Sequence, residues 1–93
     1  MPLLFAWNAA KSVSNLKKHG VSFMEAATSF SDPPSITIAD PDHSTDETRY
    51  VLIGRTRRGR LVVVAHVERG AAIRIISARP ANRRERNAYE EGE

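Results

Sequence analysis

The first third of the chain carries apolar residues at helical intervals. Asn8 is a favoured N-cap for a first helix, and Gly20 is placed to end that helix in the left-handed conformation. Ser22 and Glu25 match a capping box, which starts a second helix at once. The pattern predicts two helices joined by a glycine turn, after a short opening strand over residues 3–7. The apolar positions that support the helices are Ala9, Ala10, Val13 and Leu16, then Phe23, Ala26, Ala27 and Phe30.

After residue 34 the spacing changes to the alternation that is typical of half-buried strands. Segments 56–59 and 68–70 are short enough to connect neighbouring strands as hairpins. Pro80 ends the last strand, and Asn82 with Glu85 forms a second capping box that starts a final helix. The order βααββββα predicts an α+β domain in which helices pack on one face of an antiparallel sheet. The predicted strands cover residues 35–39, 49–55, 60–67 and 71–78.

Length and composition restrict the classes of protein that fit. The 93 residues are enough for one core, so residues 1–93 are taken as a single domain. The chain is 41% hydrophobic and 27% charged, which is ordinary for a folded protein. It has no cysteine, no apolar run near the roughly 18 residues of a membrane helix, and no basic start of a signal peptide. We therefore expect a cytoplasmic protein without disulfides, cysteine zinc sites or membrane contact.

Charge is distributed unevenly along the chain. Every lysine lies at or before Lys18, and every arginine lies at or after Arg49. Residues 49–86 hold 11 basic residues and two acids, whereas residues 32–47 hold five acids and no base. Arginine presents a planar fork of donors that matches phosphate oxygens, and it stacks on bases. The arginine-dense half therefore indicates an RNA or DNA backbone as the partner.

Several segments together resemble one family. On them the chain is similar to the BrnT family of bacterial toxins over almost its whole length, although Pro80 stands where a basic residue is common. The segments are Trp7-Asn8 with Lys11 and Asn15, Lys18-His19-Gly20-Val21-Ser22-Phe23, Glu25-Ala26-Ala27, Arg49 with Ile53-Gly54-Arg55, and Arg74-Ile75-Ile76-Ser77-Ala78-Arg79 with Ala81, Arg84-Glu85-Arg86 and Tyr89.

The resemblance implies a fold and a function. The fold would be similar to RelE-type ribonuclease toxins, and the activity would be RNA cleavage that halts translation. A cognate BrnA-like antitoxin with a ribbon-helix-helix part would neutralise the toxin, and the complex would bind its own promoter DNA. The substrate would be RNA, with ribosome association left open.

RNA cleavage needs no metal ion and no cofactor, because the 2′-hydroxyl is a built-in nucleophile beside the scissile phosphate. An enzyme must move two protons and stabilise the extra negative charge on phosphorus. Arginines supply the charge stabilisation, and a histidine, tyrosine or glutamate moves protons. We therefore expect a metal-independent endoribonuclease. The catalytic candidates are Arg79, Arg74, Arg55, Arg49, His66 and Tyr89.

Each arginine candidate has an alternative role. Arg79 precedes the final helix, where free backbone N–H groups attract phosphate, but a structural pairing with Glu85 or with an acidic residue of the loop is the alternative. Arg74 shares a strand face with Ile76 and is costly to bury, so a position at the rim is the alternative. Arg49 and Arg55 frame a phosphate site or are simply solvated strand ends, the latter being slightly favoured.

The other candidates also have alternative roles. His66 lies in an apolar strand and is more often a core residue than a general base, and Tyr89 fits a core anchor as well as a phosphate donor. His43 lies in an acidic loop, and its role is left open. That loop, with Asp40, Asp42, Asp46 and Glu47, matches no calcium-loop pattern, so no metal site is predicted. Predicted RNA contacts are Arg57, Arg58, Arg83, Arg84 and Lys18, with solvated surface positions as the alternative.

Two classes of function fit these features. The first is the ribonuclease toxin. The alternative is a non-catalytic module that binds nucleic acid or protein, because the sequence contains no obvious base–acid pair. A DNA-binding repressor fits less well, since no helix carries a basic recognition face.

Overall fold

The computed structural model describes residues 3–43 and 46–92, and of His43 only the backbone. The predicted order βααββββα is confirmed over these residues, with short 3₁₀ turns at Ser29–Ser31 and Pro41–His43. The elements are β1 (Leu4–Ala6), α1 (Ala9–His19), α2 (Phe23–Thr28), β2 (Ile36–Ala39), β3 (Arg49–Arg55), β4 (Leu61–Arg69), β5 (Ala72–Pro80) and α3 (Arg83–Glu91).

The strands form one sheet in the order β1-β5-β4-β3-β2. β2 to β5 make the expected antiparallel meander, but β1 pairs in parallel with β5, with Leu4 opposite Ala72. The sheet is therefore mixed and mostly antiparallel. The alternation of single strands encodes which side chains are buried, and it does not encode the edge at which the first strand joins.

Helices cover both faces of the sheet. Along β4, Val62 and Val64 pack into the cluster under α1 and α2, whereas Leu61 and Val63 pack against Tyr89 of α3. Because successive side chains of a strand point to opposite faces, α3 must lie on the face opposite the first two helices. The expectation of helices on one face therefore holds for α1 and α2 only.

The helix ends form largely as the sequence predicts. The side chain of Asn8 accepts a hydrogen bond from the amide of Lys11 (3.0 Å), and Gly20 adopts a φ of 74°. At α2, Ser22 caps the amide of Glu25 (3.0 Å), so one half of the predicted capping box is present. The carboxylate of Glu25 turns to Arg60 instead of completing the box, with its Oε2 2.9 Å from the Nε of Arg60.

One buried amide side chain ties α1 to the sheet. The Nδ2 of Asn15 donates to the carbonyls of Val21 (2.9 Å) and Ala78 (2.8 Å), and its Oδ1 accepts from the amide of Ala78 (3.2 Å). This side chain therefore satisfies backbone groups on the α1–α2 corner and on β5 at once.

Replacing Asn15 with Ala should lower the free energy of unfolding by about 3 kcal/mol, because buried backbone groups lose their partners. Urea unfolding measures this as a lower midpoint with an unchanged m value. Ser14→Ala, an exposed neighbour on the same helix, is the control and should shift the midpoint little. Equal midpoints for Asn15→Ala and Ser14→Ala would contradict the anchoring role.

Candidate active site

The face that carries α3 is only partly covered. α3 packs over the end of the sheet at Ile53, Leu61 and Val63, and beyond it lies an open cleft of about 240 Å³. The floor of the cleft is mostly apolar and its rim is charged. The lining residues are Asp40, Arg49, Val51, Val63, Ala65, Ser77 and Arg79.

An irregularity in β5 decides which arginines share this face. Ala65 pairs with Ser77 while the next residue, His66, pairs with Ile75, so Ile76 is an extra residue in β5. In a regular strand, residues 74 and 79 have opposite parity and point to opposite faces. The extra residue brings Arg74 onto the same face as Arg79.

The strand register arranges this face in rows. One row across β3, β4 and β5 consists of Arg49, Val67 and Arg74. A second row across the same strands consists of Ile53, Val63 and Arg79. Strands two apart are separated by about 10 Å, which is within the combined reach of two arginine side chains. The side chains of Arg49, Arg74 and Arg79 are thus brought to one face of the sheet.

Arg79 is held by an ion pair with two parallel hydrogen bonds. Its Nη1 donates to Oε1 of Glu85 (2.8 Å) and its Nη2 to Oε2 (2.7 Å), and 43% of the arginine side chain is exposed. These hydrogen bonds, which Arg79 donates and Glu85 accepts, raise the pKa of Arg79 and lower the pKa of Glu85. Arg79 therefore remains a cation that stabilises negative charge and does not accept a proton.

The first turn of α3 supports this ion pair. The side chain of Asn82 accepts from the amide of Glu85 (2.9 Å), and Oε1 of Glu85 accepts from the amide of Asn82 (2.9 Å), which is the predicted capping box. The same carboxylate thus caps the helix and holds Arg79 beside the cleft. The alternative weighed from the sequence, a pairing of Arg79 with Glu85, is observed.

Arg49 and Arg74 lie near the acidic loop. Arg49 lines the cleft beside Asp40, whose amide donates to the carbonyl of Arg49 (2.7 Å). Glu47 is bound by Arg69, with distances of 2.7 Å to Nε and 2.6 Å to Nη2. This pairing is the main reason that the pKa of Glu47 is lowered, and the charge of Arg74 lowers it further.

The segment that contains all the residues lining this cleft matches a known protein family. The family described as "Ribonuclease toxin, BrnT, of type II toxin-antitoxin system" matches residues 7–85. The chain belongs to this family of ribonuclease toxins. The resemblance drawn from the sequence segments is confirmed.

A solved structure shows the same fold. The 1.1 Å crystal structure of the Brucella abortus ribonuclease toxin, BrnT, superposes with a TM-score of 0.63 at 22% sequence identity, covering 88% of this chain and 100% of that chain. The comparison with curated proteins found no match.

Arg55 and Tyr89 of this BrnT-family chain are not brought to the cleft. Tyr89 is buried, and its hydroxyl donates to Oδ2 of Asp32 (2.8 Å). The guanidinium of Arg55 lies 5.7 Å from the centre of the Tyr89 ring, and its Nη1 donates to the carbonyl of Gly59 (3.0 Å). Burial is the main cause that raises the pKa of Tyr89. These contacts favour a core anchor for Tyr89 and a strand-end role for Arg55.

His66 lies on the face of the sheet opposite the cleft, which is the face that α1 and α2 cover. It is 1% exposed, and its ring centroid lies 4.8 Å from that of Phe30 and 5.8 Å from that of Tyr50. Burial lowers its pKa, and Glu68, whose Oε2 is 3.6 Å from Nε2, opposes this effect. The position favours the core role and separates the imidazole from the cleft by the sheet.

The predicted RNA contacts lie on three different elements of the structure. Arg57 and Arg58 lie on the exposed β3–β4 hairpin, where the amide of Arg57 donates to Oγ1 of Thr28 (2.8 Å). Arg83 and Arg84 are exposed on α3. Lys18 is exposed near the end of α1 on the other face. Their assignment to RNA binding stays a prediction.

Sequence reasoning did not select Asp40 or Ser77 for the site, although both line the cleft. Ser77 lies two residues before Arg79, so alternation places both on one strand face, a signal that could have added Ser77 to the site. Among residues 3–43 and 46–92, no group of three or more acidic or histidine side chains is arranged to hold a metal ion. No helix of this described part is long and apolar enough to cross a membrane.

The buried His66 should make stability depend on pH. Its pKa is lowered in the folded protein, so below about pH 6.5 the unfolded chain binds the proton first and stability falls as the pH decreases. Replacing His66 with Phe removes this contribution, which is at most about 1.4 kcal/mol per pH unit. Urea unfolding between pH 7 and 5 measures how the free energy of unfolding changes with pH in the unmodified protein and in His66→Phe. An identical pH dependence in both proteins would contradict a neutral buried imidazole.

Proposed function

We propose that this chain is a metal-independent endoribonuclease whose active site is the cleft beside α3. The observation that carries the proposal is that Arg49 and Arg79 line a cleft with a mostly apolar floor, while Arg74 lies on the same face of the sheet. Guanidinium groups match the charge and shape of a phosphodiester, and the apolar floor suits a ribose and a base.

The 2′-hydroxyl of the RNA is the nucleophile. It attacks the adjacent phosphorus, a 2′-oxygen–phosphorus bond forms, and the bond to the 5′-oxygen breaks. The attack adds negative charge to the non-bridging oxygens, which the arginines stabilise in the transition state. Asp40 is the first candidate to accept the proton of the 2′-hydroxyl, because this acidic residue lines the cleft with Arg49 and Arg79. Water supplies a proton to the leaving 5′-oxygen.

Cleavage of messenger RNA in the cytoplasm would inhibit translation, which makes the chain toxic to its own cell. The family description as a type II toxin-antitoxin system supports a protein antitoxin as the partner. We infer a BrnA-like antitoxin that covers the cleft, and a complex that binds its own promoter DNA through the antitoxin. Association with the ribosome would bring the toxin to its substrate.

One observation favours a second candidate, a binding module without catalysis. The imidazole of His66 lies on the face away from the cleft, so this histidine is not placed to move protons there. Incubation of the purified protein with RNA in EDTA separates the two functions. Intact RNA together with tight RNA retention would favour the binding module.

Arg79→Ala should lower the rate of RNA cleavage in EDTA by at least about 100-fold, since it removes a charge aimed at the phosphate. The same variant should permit growth when it is expressed without antitoxin. Arg86→Ala removes an equal charge from the exposed side of α3 and should cleave at the rate of the unmodified protein. Full activity in a stably folded Arg79→Ala protein would contradict the role of Arg79.

A further inference from the structure

The contacts of Arg79 leave one particular edge of its guanidinium group available. The group carries five N–H donors in a plane. Glu85 takes one donor from Nη1 and one from Nη2, and the carbonyl of Pro80 lies 3.4 Å from Nη1. Glu85 therefore binds the group end-on, at the edge formed by its two terminal nitrogens. The adjacent side edge retains the N–H of Nε and the second N–H of Nη2.

That side edge has the geometry for a phosphodiester. Its two N–H bonds are parallel, and two non-bridging phosphate oxygens accept such a pair. A free arginine side chain would present any of its edges to a phosphate and would lose rotational freedom on binding. Because Glu85 occupies the end-on edge of Arg79, the guanidinium group is already oriented before RNA binds.

We propose that Glu85 is a positioning residue, which holds Arg79 end-on so that the Nε–Nη2 edge meets the scissile phosphate. This inference rests on the proposed function of the cleft. It assigns to Glu85 an effect on the reaction that goes beyond its cap on α3.

The ion pair is fixed at both ends. The main chain of Arg79 pairs with Val63 in the sheet, and the carboxylate of Glu85 is held by the amide of Asn82 (2.9 Å). The Glu85 side chain is 20% exposed, so water screens the pair less than it would a pair on the open surface. A donor fork held in place before the reaction stabilises a transition state without reorganising.

The charge of Glu85 has opposite consequences for binding and for reaction. Its carboxylate repels RNA phosphates and offsets the charge of Arg79, so it should weaken RNA binding. Its orientation of Arg79 should accelerate cleavage. A cap that only stabilises α3 would produce neither effect.

Glu85→Gln tests the inference with little change to the helix. Glutamine at this position still accepts a hydrogen bond from the amide of Asn82, but it no longer offers two carboxylate oxygens to Arg79. We expect kcat for RNA cleavage in EDTA to fall 10-fold to 100-fold, with KM unchanged or lower. Glu85→Asp, which keeps the charge, should recover part of kcat.

Asn82→Ala is the matched control. It removes the side-chain cap of α3 and leaves the Arg79–Glu85 pair in place, so it should lower stability while kcat changes less than twofold. A kcat in Glu85→Gln equal to that of the unmodified protein, with Arg79→Ala inactive, would overturn the positioning role and leave the proposed function standing. An equal loss of kcat in Asn82→Ala would also overturn it.

A chemical rescue gives a second readout. Guanidinium ion added to Arg79→Ala should restore part of the cleavage, because Glu85 still offers the end-on site. In Arg79→Ala combined with Glu85→Gln, the same concentration should restore nothing. Equal rescue of both proteins would contradict the role of Glu85.

Binding without cleavage is measured by NMR on the Nε–H signal of Arg79. Fully 2′-O-methylated RNA lacks the nucleophile and serves as the probe. We expect this RNA to shift the signal in the unmodified protein and to leave it unshifted in Glu85→Gln. If the unmodified protein cleaves no RNA, the proposed nuclease function fails, and this experiment alone then decides whether Glu85 orients Arg79. Equal shifts in both proteins would overturn the inference.

Discussion

The arrangement of the arginines on the cleft face of the sheet depends on one extra residue in β5. Ile76 interrupts the regular alternation between Ser77 and Ile75, and the parity of the strand changes at that point. Without the interruption, Arg74 and Arg79 would project from opposite faces of the sheet. The positive charge of the site is therefore a property of the backbone register as much as of the arginine content.

The arginine-dense half of the chain serves two purposes. Some arginines are structural, because Arg60 binds Glu25 and the carbonyl of Gly20, and Arg69 binds Glu47. Arg60 joins the β3–β4 hairpin to the corner between α1 and α2, and its hydrogen bond is the main cause that lowers the pKa of Glu25. The arginines that face the cleft are thus a subset, and composition alone does not identify them.

The helix caps and the order of helices and strands along the chain were predictable because they are encoded locally. Asn8, Gly20 and Asn82 act on backbone groups within a few residues, so their positions in the sequence specify their roles. The arrangement of the site is not local. Assigning His66 to the face covered by α1 and α2 requires knowing on which side of the sheet each helix packs. Tyr89 packs into the core under α3, and Arg55 lies beside its ring, so neither residue lines the cleft with Arg79. Sequence spacing does not show where α3 packs.

The parallel pairing of β1 with β5 joins the first strand of the chain to the last. During synthesis, the sheet can be completed only after β5 has left the ribosomal exit tunnel. The cleft also needs α3, which follows β5 directly. A nascent chain therefore has no assembled cleft until α3 has emerged from the ribosome.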